Sequence, residues 1–120
     1  MSHILIVEDD DDIRTILKET LEMMGHKVTA AADGNQGYTA SEAGGFNLII
    51  TDYLMPKLDG LAMIEKIKEK SQSKQTPIII FSTFKETINL LMAKYPNVSF
   101  VSKPGPLEKL AEKIEEQLAL

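Results

Sequence analysis

The chain has 120 residues, 43% of them apolar, and a formal net charge of −5, which fits one domain built on one hydrophobic core. It contains no cysteine, which excludes a disulfide framework and a thiolate zinc site; no apolar run is long enough to cross a bilayer, and the opening residues lack the basic start of a signal peptide. The acidic balance, with a pI near 5.0, argues against a nucleic-acid-binding surface, and the cytoplasm is the expected compartment.

Five short apolar runs alternate with segments of helical spacing. His3-Ile4-Leu5-Ile6-Val7 is continuous and rich in branched side chains, the pattern of a strand buried on both faces. Ile13, Ile16, Leu17, Leu21 and Met24 follow the i, i+3, i+4 rule of a helix, and Gly25 stands where a glycine cap belongs. Residues 27–31 make a weaker strand, and 34–43 a short, poorly amphipathic helix closed by Gly44 and Gly45. Residues 47–51 form a continuous run, followed by a helical stripe of Leu61, Ile64 and Ile67. Residues 77–81 are again continuous, and Ile88, Leu91 and Met92 make a fourth stripe. Residues 98–102 alternate, which predicts an edge strand with one solvated face. Leu107, Leu110, Ala111, Ile114 and Leu118 form the fifth and clearest stripe. Met23, Met24, Met55, Met63 and Met92 read as core filling, and His3 and His26 as ordinary strand-edge and loop residues. Strand and helix alternating five times predict an α/β fold, a mostly parallel sheet with helices on both faces. There is no repeat or linker, so residues 1–120 read as a single domain.

Doubly wound sheets bind ligands beyond the carboxyl ends of their strands. Glu8 and Asp9 follow the first strand here, with Asp10, Asp11 and Asp12 behind them. Asp52 follows the third, Ser82-Thr83 the fourth, and Lys103 the fifth. Glu8, Asp9 and Asp52 bring three negative charges to one rim, and like-charge repulsion opposes their ionising together. Lys103 and a divalent cation would balance them. The donors are hard oxygens without His or Cys, which favours Mg²⁺ or Mn²⁺ over zinc. A glycine-rich phosphate loop is missing, and five consecutive acids in its place would repel a bare phosphate. A dinucleotide or flavin site is thereby disfavoured. Asp11 and Asp12 read as a helix cap and charges favourable to the helix dipole, with Asp10 a lesser candidate for the metal. Asp59 reads as the cap of the third helix.

These residues carry a specific resemblance. Ile4-Leu5-Ile6-Val7-Glu8-Asp9-Asp10 resembles the acidic-pair opening of two-component response-regulator receiver domains. Leu48-Ile49-Ile50-Thr51-Asp52-Tyr53-Leu54-Met55-Pro56-Lys57-Leu58-Asp59-Gly60 resembles that family's phosphoacceptor segment, including its Met-Pro and Asp-Gly. Phe81-Ser82-Thr83 and Val101-Ser102-Lys103-Pro104 fall where the family has its hydroxyl and its Lys-Pro. The four signatures occur in order along essentially the whole chain, and the type resembled is the single-domain chemotaxis or phosphorelay messenger.

The resemblance implies a flavodoxin-like fold, with five parallel strands in the order 2-1-3-4-5 and five helices. It makes Asp52 the phosphoacceptor, supplied by a sensor histidine kinase or a histidine phosphotransfer protein. Asp9 is expected to ligate Mg²⁺ (or Mn²⁺) directly and Glu8 through a water, with Asp52 and the Leu54 backbone carbonyl completing the protein ligands. Lys103 would pair with Asp52 and then with a phosphoryl oxygen, and Ser82 would donate a hydrogen bond to the phosphoryl group. Phe100 would turn inward behind the moving Ser82 loop. That motion would switch the surface of the fourth helix, fifth strand and fifth helix toward an unknown downstream protein. The phosphohistidine protein would meet the first helix and the loop around Pro104-Gly105-Pro106. Such a protein is not an enzyme in the usual sense, because it catalyses only its own phosphorylation and dephosphorylation. Neither nucleic acid nor membrane is an expected partner.

The chain also departs from the family pattern. Thr83 replaces a small residue, Gly105 an aromatic, and Tyr95-Pro96-Asn97 a Gly-Ala turn. Leu54 and Phe84, each two residues beyond a site residue, are apolar and cannot orient an attacking water, which predicts slow hydrolysis of the phosphorylated form. One alternative is a receiver-like binding module that is never phosphorylated, although no acid and no lysine of the signature is lost. Another is a phosphatase of the haloacid dehalogenase type, which wants a second acid two residues after the nucleophile, where this chain has Leu54. A free-standing messenger and a piece of a longer regulator or hybrid kinase are both compatible with the sequence, Met1 favouring an intact N-terminus.

Overall fold

The computed structural model describes residues 2–52, 60–82, 88–102 and 107–119. In chain order the elements are β1 (His3–Val7), α1 (Asp11–Met23), β2 (Lys27–Ala31), α2 (Gly34–Ser41), β3 (Leu48–Thr51), α3 (Gly60–Lys70), β4 (Ile78–Ser82), α4 (Ile88–Lys94), β5 (Val98–Ser102) and α5 (Leu107–Leu118). The five strands form one sheet in the order β2-β1-β3-β4-β5, and every neighbouring pair is parallel. This is the doubly wound, flavodoxin-like arrangement expected from the sequence.

The central strands are apolar except at their ends, where Thr51 and Ser82 stand, because both of their faces are covered. Side chains of a strand alternate between faces, and β1 shows what that does. Leu5 and Val7 enter a cluster with Ile49, Ile78 and Ile80, covered by Met63, Ile64 and Ile67 of α3 and Ile88 and Leu91 of α4. Ile4 and Ile6 enter the opposite cluster with Leu48, Ile50, Ile79 and Phe81, covered by Leu17 and Leu21 of α1 and Leu110 and Ile114 of α5. Each fully buried aliphatic side chain stabilises the fold by about 1.5–3 kcal/mol.

The helix ends follow local chemistry. The Asp10 carboxylate accepts from the backbone N–H groups of Asp12 and Ile13, at 2.9 and 3.0 Å, and caps α1. At the other end Gly25 takes φ 94°. Its N–H donates to the Glu22 carbonyl at 3.0 Å and the His26 N–H to the Leu21 carbonyl at 3.1 Å, a Schellman cap. Helix α2 is capped by Asp33, whose carboxylate accepts from Gln36 N–H at 2.9 Å, while Gln36 Oε1 accepts from Ala32 N–H at 3.0 Å. Gly37 lies inside α2 against the sheet. A Cβ there would stand 2.8 Å from Met63 Sδ and 2.8 Å from Val7 Cγ2, so the missing side chain lets α2 approach β1 and α3 closely.

Several expectations are corrected. The helix cap is Asp10, not Asp11 or Asp12, which lie in the first turn. Met23 and Met24, the last residue of α1 and its C-cap, are 89% and 38% exposed and fill no core. Strand β5 is an edge strand, but neither face is simply solvated. Phe100 packs toward the α3–α4 side and Val101 is buried on the α1–α5 side, since α4 and α5 flank the strand. Helix α2 ends at Ser41 rather than at residue 43, and β3 begins at Leu48 rather than at 47. Strand β4 runs from Ile78 to Ser82 rather than from Pro77 to Phe81, since Pro77 has no N–H to donate and serves only as acceptor for Ile49 N–H, at 3.0 Å. Of the methionines expected in the core, Met63 is fully buried and Met92 partly so, and Met55 lies outside the described residues.

Candidate metal and phosphoacceptor site

The ladders that build the sheet run one residue past its strands and set the acids side by side. Glu8 N–H donates to the Ala31 carbonyl of β2 at 3.1 Å, and Asp52 N–H to the Val7 carbonyl of β1 at 3.0 Å. Thr51 Oγ1 donates to the Asp52 carbonyl at 2.8 Å. Glu8 and Asp52 are thus held on adjacent strand ends, with Asp9 next in the chain. Carboxylate oxygens of Glu8, Asp9 and Asp52 all lie within 4.8 Å of one another. Glu8 is 2% exposed, Asp52 is half-buried and Asp9 is open to solvent. The grouping comes from two backbone ladder bonds between neighbouring strands and from the adjacency of Glu8 and Asp9 in the chain, not from any attraction between the acids.

Like charges this close repel by about 3.5 kcal/mol per pair at an effective dielectric constant of about 20, and by about 0.9 where water intervenes. What the fold gathers against that repulsion is a set of hard oxygen donors without nitrogen or sulfur. Such a donor set suits Mg²⁺ or Mn²⁺, which bind one or two carboxylates and keep several waters. The residues present therefore fit the implied cation. Glu8, Asp9 and Asp52, with carboxylate oxygens within 4.8 Å of one another, are the residues that would hold it.

Ser82 is the last residue of β4, is buried, and pairs with Ser102 across the β4–β5 ladder. It lies on the same carboxyl edge of the sheet as Asp52. Phe100 is half-buried in β5, paired with Ile80 and packed against the cluster that contains Ile88 and Leu91. Lys103, Leu54 and Phe84 lie outside the described residues, as do Thr83, Asp59 and the Pro104-Gly105-Pro106 loop. Asp10 is not among the three grouped acids; one of its carboxylate oxygens caps α1.

One residue of the site had not been singled out from the sequence. Arg14, in the first turn of α1, donates from Nη1 to the Glu8 carbonyl at 2.9 Å and from Nη2 to the Asp11 carboxylate. Its signal in the sequence is a lone arginine three residues after Asp11, a helical i, i+3 spacing.

The comparisons with known proteins agree with this geometry. Residues 4–115 match the family profile described as the response regulator receiver domain. The chain is 32% identical over 117 residues to the chemotaxis protein CheY1 of Helicobacter pylori, covering 93% of each. It is 32% identical over 118 residues to the uncharacterized transcriptional regulatory protein YkoG of Bacillus subtilis, covering 97% of this chain and 50% of that one. The chain spans about half the length of such transcriptional regulators. Among solved structures, the CheY-like receiver domain protein of Methanospirillum hungatei superposes with a TM-score of 0.88 at 28% identity, over 99% of this chain and 94% of that one. TrrA of Thermotoga maritima, crystallised in complex with Mg²⁺ and BeF, gives a TM-score of 0.84 at 28% identity over 98% and 99%. With the acidic triad at the carboxyl edge of a 2-1-3-4-5 sheet and a family match over nearly its whole length, this chain belongs to the response regulator receiver domains of two-component signalling.

Proposed function

We propose that Asp52 is a phosphoacceptor that takes a phosphoryl group from the phosphohistidine of a sensor kinase or phosphotransfer protein. The observation that carries this is the convergence of Glu8, Asp9 and Asp52 within 4.8 Å at the one edge of the sheet where such folds bind ligands. An Asp52 carboxylate oxygen attacks phosphorus; the new O–P bond forms as the N–P bond of the donor breaks, and the departing imidazole nitrogen keeps the bonding pair. Glu8, Asp9 and Asp52 would hold Mg²⁺ or Mn²⁺, which when bound neutralises charge on the transferring group. Glu8, buried at the end of β1, anchors the floor of the site. Ser82, at the end of β4, is the hydroxyl donor proposed for the phosphoryl oxygen, and Lys103 and the Leu54 carbonyl complete the proposed set. Hydrolysis, in which water attacks phosphorus and returns the Asp52 carboxylate with inorganic phosphate, is the only other reaction we assign to the chain, so it is a signal carrier rather than an enzyme with turnover. We place it with its donor in the cytoplasm, and assign the α4–β5–α5 surface, with Phe100 as the responding aromatic, to a downstream protein.

Intact-mass measurement after incubation with Mg²⁺ and acetyl phosphate tests the proposal. The expected result is a gain of one phosphoryl group that requires Mg²⁺ and is lost in Asp52→Asn. TrrA binds Mg²⁺ and BeF, and the same pair is expected to bind here in competition with phosphorylation. If neither acetyl phosphate nor a phosphohistidine protein modifies the chain, and Mg²⁺ with beryllofluoride does not bind, the chain is a receiver-like binding module instead. The apolar pair Leu54 and Phe84 implies a long-lived phosphorylated form. The double variant Leu54→Asn, Phe84→Glu is expected to hydrolyse about tenfold faster, and equal decay rates would refute that role.

A further inference from the structure

The connection from β1 to α1 is only three residues, Glu8, Asp9 and Asp10, and two of them belong to the triad. Each end of it is tied. Glu8 N–H bonds the Ala31 carbonyl, Asp10 N–H bonds Glu8 Oε2 at 3.3 Å, and the Asp10 carboxylate caps α1. The Glu8 carbonyl, which orients the peptide unit joining the two acids, is held at 2.9 Å by Arg14 Nη1. The other arm of the same guanidinium is fixed by Asp11, and the side chain is only 21% exposed. If that peptide unit rotates, the Asp9 carboxylate swings away from Glu8 and Asp52.

We propose that Arg14 is a positioning residue of the cation site, locking the Glu8–Asp9 peptide unit so that the Asp9 carboxylate points at the other two acids. The inference rests on the reading that these acids hold a divalent cation. It runs against simple electrostatics, and that makes it testable. A guanidinium beside a cation site repels the cation, so its removal, judged by charge alone, tightens Mg²⁺ binding. Judged by position, removal weakens it.

The probe is Mg²⁺ alone, titrated into the full chain and followed by backbone amide resonances, well below the unfolding temperature of every variant. Arg14→Ala is expected to bind Mg²⁺ about tenfold more weakly than the parent. It should also shift the Asp9 and Asp10 amide resonances before any Mg²⁺ is added. Arg14→Lys keeps the charge but offers one ammonium in place of a fork, and is expected to bind about threefold more weakly. Equal or tighter Mg²⁺ binding by either variant, with only the melting temperature lowered, would overturn the proposal and leave Arg14 as a structural tie. Should Arg14→Ala fail to fold, Arg14→Lys decides alone. Asp9→Asn serves as the reference for a site that has lost a ligand. A parent chain that shows no Mg²⁺-dependent shifts would overturn the cation-site reading itself, a result distinct from failure of the Arg14 variants.

Discussion

Removing the charge of Asp9 is expected to have opposite effects with and without Mg²⁺. Its carboxylate lies within 4.8 Å of those of Glu8 and Asp52 and is exposed to solvent. At that distance each pair repels by about 0.9 kcal/mol in water and about 1.7 at an effective dielectric constant of about 40. The spacing is shorter than the Debye length of about 10 Å at 0.1 M salt, so ordinary buffers screen it only in part. Glu8 and Asp9 are sequence neighbours and repel in the unfolded chain as well, so the pair with Asp52 contributes most of the difference. Asp9→Asn should therefore stabilise the Mg²⁺-free protein by about 1–2 kcal/mol, or raise its melting temperature by about 4–8 °C. In Mg²⁺ at roughly twenty times its Kd, the parent gains about 1.8 kcal/mol by mass action, while the variant, short of a ligand, gains little. Denaturant titrations of both proteins, in chelator and in Mg²⁺, measure the two differences directly. If the variant is no more stable than the parent in chelator, the three carboxylates do not strain the apo fold and the electrostatic reasoning fails.

Gly37→Ala is expected to destabilise the fold by about 1–2 kcal/mol in thermal unfolding. The added methyl meets Val7 and Met63 at 2.8 Å, and overpacking of this kind outweighs the gain of about 1 kcal/mol from helix propensity; a raised melting temperature would contradict this. Asp10→Ala removes the α1 cap and should cost about 1 kcal/mol by denaturant titration, with Mg²⁺ affinity changed by less than about threefold. A much larger loss of Mg²⁺ binding would show that Asp10 is a ligand after all. Lys68 is 9% exposed and donates from Nζ to the Thr76 carbonyl at 2.6 Å, and burial pulls its pKa from 10.5 down to about 8. The unfolded chain then binds more protons than the folded one between these values, so stability rises with pH across that window, while below about pH 8 the cost of the buried charge is fully present. Relative to Lys68→Met, which also removes the alkaline titration of the tyrosines from the comparison, the parent should gain about 1–2 kcal/mol from pH 7.5 to pH 10; a pH-independent difference would refute it.

The amino-acid sequence by itself determined the elements, their alternation and the acids at the strand ends. Continuous apolar runs such as residues 4–7 and 78–80, short and rich in branched side chains, fit strands covered on both faces, and the apolar stripes of α1, α3, α4 and α5 supply most of the cover. The strand order 2-1-3-4-5 and the gathering of Asp52 with Glu8 and Asp9 were legible through the family signatures, which bring together residues that periodicity alone leaves scattered. Element boundaries were less legible where a residue's own chemistry opposes its pattern, as at Pro77, and burial was less legible at the end of a helix, as at Met23 and Met24. Only the tertiary structure decided which acid does what. The family signature separates Asp9 from the acids behind it, and the structure sets it beside Glu8 and Asp52; periodicity leaves Asp10 and Asp11 alike, yet the first caps α1 and the second holds Arg14. The physical reason is the sharp turn from β1 into α1, which points successive side chains in different directions within three residues. Arg14 and Gly37 escaped the sequence reading for the same reason: what they do depends on which strand and helix come to lie against them, and no local pattern records that.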